Sequence, residues 1–451
     1  MPAGAVRARL AHGLPHGQEF QPEPVLYQGA ALECASKKAL VGRPVGGEPG
    51  AVRDLFVMSV LDTVLVWTAA ATCVPAGILL LEVLAALWRR PSSHTVAATR
   101  PRLAVVVPAH DEAHGIATTL SSLRSQLAPG DRLLVVADNC SDATAVVARS
   151  SGAEVVERCE PLLRGKGHAM AAGVGALEQD PPDVVVFVDA DCMVGPRALE
   201  LLGLQAAASG RPVQADYRME VVPAAPPGVR LLQFAWILRN HTRVLGLHRM
   251  ADCCQLHGSG MALPWAALQQ VALATGDLVE DLRLGISFAR AGIAPLPCPE
   301  AVVHSSFPAS SAGRHHQRKR WEFGHLETIL LRLPMLFLRG ILCANPRLVA
   351  MALDVMVPPL ALLFLGLVAQ LGLGGWRLAL GHSSLPMLLA AGGITALALA
   401  LFLCWARHAR HVVPATAFLA VPAHVLRKLP FYLGCLLLRR PRWDRSERGA
   451  A

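Results

Sequence analysis

Three stretches decide how this chain folds: LAVVVPAHDE at residues 103–112, LLVVADNCSDAT at 133–144 and VVVFVDADC at 184–192. Each opens as an almost unbroken run of β-branched and aliphatic residues and closes on proline or acidic residues. Runs of that kind are strands buried on both faces, as in a parallel sheet, whereas a half-exposed strand would alternate. The intervening PAHDEAHGIATTLSSLRSQL has helical periodicity, a further helix is expected through Ser150, and a weaker strand runs over 153–157. Strand and helix in alternation predict an open α/β domain. In such sheets ligands bind beyond the carboxyl ends of the strands. Pro108–Glu112, Asp138 and Asp189–Asp191 all fall there.

Outward from this block the chain turns apolar. Of 451 residues, 53% are hydrophobic and only 17% charged, too few charges for an ordinary soluble domain and too many apolar groups for a disordered one. Val64–Trp88 is long enough to cross a bilayer, with Pro75 as a candidate kink, and Arg89, Arg90, Arg100 and Arg102 follow it. Basic residues beside a span face the cytoplasm, so the block from 100 onward is expected there. Val355–Trp376 and Leu378–Ala406 are two further spans, the last ending in the basic run 407–411. Residues 412–438 are divided by Arg427-Lys428 into pieces too short to cross, and read as an interfacial or re-entrant segment. TILLRLPMLFLRGILC at 328–343 suits a helix lying in the interface, or a buried core helix.

The resulting organisation is a disordered tail over 1–57, a first transmembrane helix over 58–90 and a catalytic block over 100–325. An interfacial helix over 326–347, spans at 348–376 and 378–406, the segment 412–438 and a basic tail 439–451 complete it. A start at Met58 would remove the first tail. The excess of 42 basic over 33 acidic side chains (+9) fits membrane-flanking arginines and a phosphorylated substrate. With three Tyr, twelve Phe and no basic run interleaved with aromatics, a stacking platform for nucleic acid is not expected. The eleven cysteines form no CxxC pair and read as reduced thiols.

The chemistry centres on carboxylates. Asp189-Ala190-Asp191 puts two of them at a strand end, where they can hold Mg²⁺ or Mn²⁺ against a diphosphate. Alone, a DxD is also a plain turn. Asp142 is as well placed to cap the following helix as to meet a ligand. Glu280-Asp281, 90 residues beyond Asp191, supplies a second acidic pair at the start of DLRLGISFARAG. Lys166 lies between two glycines in RGKGHAM.

With VVVPAHDE (105–112), VVADNCSDAT (135–144), RGKGHAM (164–170), VDADC (188–192), HGSGMALPW (257–265), VEDLRLG (279–285) and QRKRW (317–321), the chain resembles the family 2 glycosyltransferases. The resemblance is to the membrane-embedded kind that includes cellulose, hyaluronan and chitin synthases. It covers about residues 100–325 and implies a GT-A fold: a Rossmann-like cytoplasmic domain with a mixed, mostly parallel sheet, flanked by transmembrane helices. It further implies a donor site from Pro108, Glu112, Asp138, Lys166 and Asp189, with Asp191 as metal ligand. Asp281 would be the base that deprotonates the acceptor, and Glu280 would orient the site. Gly258 and Ser259 would let the acceptor approach the backbone, and Gln317, Arg320 and Trp321 (QxxRW) would meet acceptor and diphosphate. The chain departs from the pattern at Asp111, where Asn is common, and at Ala137-Asp138-Asn139, where two adjacent acids are common.

The resemblance thus predicts an inverting transferase, multi-pass in the plasma or inner membrane, using a nucleotide-diphosphate sugar (UDP-sugars favoured) with Mg²⁺ or Mn²⁺. Its acceptor would be a growing glycan, as QxxRW suggests, or a polyprenyl phosphate or glycolipid, as the short membrane region suggests. That short region also fits an export partner subunit. A silent membrane scaffold is the reading from another class, and the presence of Asp191, Asp281 and Arg320 speaks against it.

Overall fold

The computed structural model describes residues 49–88, 99–222, 224–277, 279–308 and 310–436. The chain divides into two units, Met1–Ser59 and Val60–Ala451. In the first, the described backbone is helical from Pro49, so the expected disorder does not hold over 49–57; residues 1–48 and the basic tail lie outside the described residues. The rest concerns the second unit.

Eight strands form one sheet: β1 (Leu103–Ala109), β2 (Arg132–Asp138), β3 (Glu154–Arg158), β4 (Val184–Phe187), β5 (Met193–Val194), β6 (Val213–Glu220), β7 (Met261–Pro264) and β8 (Leu296–Ser306). Their order is β3-β2-β1-β4-β7-β6-β8-β5. The first four are parallel, with Val105 opposite Leu133 on one side and Val186 on the other. β7 runs antiparallel to both β4 and β6, β6 and β8 are parallel, and β5 closes the edge antiparallel. The fold is the expected mixed, mostly parallel GT-A-like sheet.

Side chains alternate across a strand, so β1 feeds two cores at once. Leu103, Val105 and Val107 pack with Ile116, Leu120 and Leu123 of the helix Ile116–Arg124. Ala104 and Val106 pack on the other face with Met170 and Phe288, from the helices Lys166–Gly175 and Glu280–Arg290. All of these side chains are buried. Burying each of the valines contributes about 1.5–3 kcal/mol, which is why unbroken aliphatic runs became central strands.

Among the described residues, three helices are long and apolar enough to cross a membrane: Val60–Leu87, Leu360–Ala379 and Leu385–Ala409. Pro75 lies inside the first without ending it. The stretch 348–376 is not one span. Pro358 and Pro359 break it, because a proline disfavours helical geometry in the residue before it and cannot donate to the helix ladder, and here two stand in a row. The break leaves Pro346–Met356 as a separate helix that packs on the catalytic block through Met351 and Val355. The apolar stretch at 328–343 divides similarly at Arg332, between the helices Ser311–Leu331 and Leu333–Leu342. Among the described residues after Ala409 the helices are short pieces, Ala415–Ala420, Val421–Leu426 and Leu429–Leu436.

The first apolar helix and the sheet domain are joined by an ionic cluster. Arg243, in the helix Arg243–Ala251, donates from Nε to Glu82 Oε2 at 2.7 Å and from Nη2 to Asp354 Oδ1 at 2.7 Å. Gln255 donates to the other Asp354 oxygen at 3.1 Å. Nearby, Gly246 lies so close to the Glu82 backbone that no Cβ would fit there.

Candidate active site

The carboxyl ends of β1, β2 and β4 meet the loop before β7 and the start of the helix Glu280–Arg290. Lys166, the first residue of its helix, makes the junction. Its ammonium donates to the Gly258 carbonyl at 2.7 Å and forms an ion pair with Asp189. Burial works against that charge, but Asp189, Glu280 and Asp281 around it hold the ammonium above its ordinary pKa. Lys166 is thus tied at once to Asp189 and to the Gly258 loop. Gly258 has φ +86°, and a Cβ on it would stand 3.4 Å from Asp281 Oδ2 and 3.5 Å from Lys166 Nζ. Asp189, the glycine loop and Asp281 thus converge on one point. The next residue continues the link: the Ser259 hydroxyl accepts the Asp189 backbone N–H at 3.1 Å.

Asp281 keeps Oδ2 directed at this point while Oδ1 accepts from the Leu282 N–H at 2.8 Å. Glu280 beside it is pushed up to about 7, chiefly by burial and then by the charge of Asp281, with Lys166 and Arg320 opposing. Glu280 is therefore inclined to hold a proton near neutrality.

Asp191 points toward β8, where the Ser305 hydroxyl donates to its Oδ2 at 3.0 Å. Asp189, Asp191 and Cys192 offer ligand atoms within 4.8 Å of one another. The Cys192 thiol is buried and burial pushes it well above its ordinary pKa, so it stays protonated. The remaining donor set is two carboxylates, which fits a hard ion such as Mg²⁺ or Mn²⁺ rather than a thiophilic one. A second acidic group, Asp111, Cys140 and Asp142, is already committed to the backbone. Asp111 has φ 53° and takes the Ser141 N–H at 2.6 Å; burial opposes its ionisation, but the Ser141 hydrogen bonds hold its pKa below the usual range. Asp142 accepts the Ala113 N–H at 3.0 Å and the Thr144 N–H at 2.9 Å, tying the first residue of the helix Thr144–Ser150 to the β1 loop. The capping role considered for it is close to what it does.

Asp138 ends β2 and is held by Arg158 at 2.5 Å and by the Asn139 side-chain amide at 2.9 Å. Pro108 closes β1, half-buried, and the Glu112 N–H donates to Thr144 Oγ1 at 2.8 Å. From QxxRW, Gln317 is buried and Trp321 packs on Trp236 with ring centroids 5.3 Å apart. Gln317 and Trp321 line a cavity of about 340 Å³, and Arg320, not part of that lining, is one of the charges acting on Glu280. Residues missed from sequence include Ser305, Arg158, His257 and Arg239. Arg158 had a signal, being the last residue of the strand that pairs with β2, and His257 opens the HGSGMALPW stretch; Ser305 and Arg239 belong to no motif.

Residues 101–324 match the family model described as "Glycosyltransferase like family 2". This part of the chain is a family 2 glycosyltransferase domain, and the protein is a glycosyltransferase. No curated protein matches the chain. Similar solved structures include the mannosyltransferase PcManGT from Pyrobaculum calidifontis in complex with GDP-Man and Mn²⁺. It is 20% identical, with a TM-score of 0.49, over 83% of this chain and 95% of that one. Glucosyl-3-phosphoglycerate synthase from Mycobacterium tuberculosis, in complex with Mn²⁺, UDP and glucosyl-3-phosphoglycerate, is 24% identical. Its TM-score is 0.34, over 52% of this chain and 86% of that one.

Proposed function

We propose that this protein is a membrane-embedded inverting glycosyltransferase, acting at the cytoplasmic face on a nucleotide-diphosphate sugar and feeding an envelope glycan or glycolipid. The observation that carries this reading is the convergence of Asp189, Lys166, Gly258 and Asp281 at the strand ends of a family 2 domain. The three apolar helices, and the arginines between the first of them and β1, support the placement in the membrane and the orientation.

A sugar hydroxyl is a poor nucleophile near neutral pH and needs a base within hydrogen-bond reach. Asp281 Oδ2 takes the acceptor proton as the oxygen attacks the anomeric carbon. The bond from that carbon to the diphosphate oxygen breaks, the nucleoside diphosphate leaves, and one displacement inverts the configuration. Asp191 and Asp189 are the residues that would hold Mg²⁺ or Mn²⁺, which when bound neutralises diphosphate charge. Asp138 faces the nucleotide, Lys166 fixes Asp189 and the Gly258 loop, and Arg320 keeps a cation beside Glu280. The Gln317–Trp321 segment supports a glycan acceptor. A second reading, one addition to a lipid-borne acceptor, is supported by the apolar cavity on which Gln317 and Trp321 open.

The test is a panel of UDP- and GDP-sugars with purified protein and Mg²⁺ or Mn²⁺, reading nucleoside diphosphate release. Release from one donor that is lost in Asp281→Asn supports the reading. Undiminished release in that variant with acceptor present would overturn the assignment of the base.

A further inference from the structure

The cavity of about 340 Å³ lies between the helices Pro227–Ile237 and Ser311–Leu331 on one side and the candidate spans on the other. Its size is in the range of small-molecule sites, about 300–1,000 Å³. The membrane-side wall is hydrocarbon: Phe364 from Leu360–Ala379, Ile394, Leu397 and Leu401 from Leu385–Cys404, and Phe418. A glycan threaded there would bury hydroxyl groups without partners, whereas an isoprenoid or acyl chain would gain from the same burial.

The opposite wall is cationic. Arg239, Arg243, Arg314, Arg318 and Lys428 line it, against Glu322 as its one acid. Arg243 is bound by Glu82 and Asp354, Lys428 and Arg318 share Glu322, and Arg314 donates to the Pro308 carbonyl. The Arg239 side chain makes no hydrogen bond and no ion pair among the described residues. It sits on a π-helical turn, Leu238–Thr242, a distortion often found at functional sites. It also borders a second, small cavity with His257 and Leu282, the neighbours of Gly258 and Asp281. Burial pushes the guanidinium down from its ordinary pKa, and Asp281 is the foremost charge opposing that.

Resting on the lipid-borne reading of the acceptor, we propose that this chamber holds the hydrocarbon chain of a lipid phosphate, with the phosphate on Arg239. The head group would then lie beside Asp281, and the chain would enter between the two apolar helices after Pro359. The occupant is recognised by two chemistries at once, an apolar chain and an anionic head.

The experiment uses the full chain in detergent or nanodiscs. Binding of geranylgeranyl phosphate, geranylgeraniol and inorganic phosphate is read by native mass spectrometry and by fluorescence of Trp236 and Trp321. UDP or GDP binding with Mn²⁺ is measured on the same preparations. The expected result is that the lipid phosphate binds at least tenfold tighter than the alcohol, with inorganic phosphate unable to compete. Arg239→Gln should abolish that tenfold preference, Arg239→Lys should keep part of it, and Ile394→Trp should weaken both lipids. Equal binding of alcohol and phosphate, competition by inorganic phosphate alone, or preference unchanged in Arg239→Gln would overturn the proposal. Retained nucleotide binding in the same samples would leave the glycosyltransferase reading standing. Failure of the parent protein to bind any nucleotide would count against that reading instead.

Discussion

The Ser305 hydroxyl donates a 3.0 Å hydrogen bond to Asp191 Oδ2, tying the second carboxylate of the DxD turn to a strand that arrives more than a hundred residues later. Asp191 is thereby aimed by β8 as well as by its own strand. Ser305→Ala removes the bond while leaving both carboxylates. One such hydrogen bond to a charged group contributes about 1.5–3 kcal/mol. The expected effect is a rise of roughly tenfold or more in the Mn²⁺ concentration needed for half-maximal nucleotide release. An unchanged metal titration would show that Asp191 is not a ligand.

Asp281→Asn should separate chemistry from binding. The amide cannot take the acceptor proton, and removing a general base costs about 10²–10⁴-fold in rate. Donor affinity, measured by calorimetry with the nucleoside diphosphate, should stay within about twofold. Parallel loss of both would place the residue in the donor site.

Glu280 makes stability depend on pH with a definite sign. Its folded pKa of about 7 lies above its ordinary value of 4.5, so between those limits the folded state binds more protons than the unfolded. Its contribution is fully present below about pH 4.5 and is lost as pH rises through 7. Glu280→Gln should abolish that loss, so melting-temperature scans should show the variant gaining on the parent from pH 5 to pH 8. A constant difference across that range would contradict the burial of an ionisable Glu280.

At Gly258 a single methyl group is informative. The backbone there has φ +86°, which costs about 1–2 kcal/mol for a residue with a Cβ, and the methyl would fill the space against Lys166 Nζ and Asp281 Oδ2 in van der Waals contact. Gly258→Ala should lower the melting temperature slightly and cut transfer far more than nucleotide binding. Activity within twofold of the parent would mean that no acceptor approaches this loop.

Arg243→Met should be severe, because it leaves the buried Glu82 and Asp354 facing each other without a cation. Breaking such a pair costs about 3–5 kcal/mol. Thermal denaturation should fall by many degrees, and adding Glu82→Gln with Asp354→Asn should recover much of it. No recovery in the triple variant would show that Arg243 acts through packing alone.

The half of the fold nearest the donor site was readable because its strands bury both faces. LAVVV, LLVVA and VVVFV leave no other arrangement, and the acids that follow them had to sit at the sheet's edge. The other half was not readable. β6 is VQADYRME, with Asp216 and Arg218 paired to each other inside the strand, a register break between Ala215 and Asp216 and no clean alternation. β8 opens on LPCPE, which reads as a turn. The break at Pro358-Pro359 was visible in the residues, yet hydropathy outweighed it. Arg239 was hidden for another reason: one cation in LLQFAWILRNHT resembles a solvated helix face until the π turn and the opposing wall are in place.

The Glu82–Arg243–Asp354 cluster also bears on how the protein is made. Its members stand 161 and 111 residues apart in the chain. During synthesis, which runs at about 5–20 residues per second, the first apolar helix must therefore wait many seconds for its cation and longer for the second acid. Until Arg243 arrives, Glu82 sits in an apolar helix with no cation to neutralise it. Ribosome stalling or premature termination before that residue would leave a product marked for disposal by its own unmatched acid.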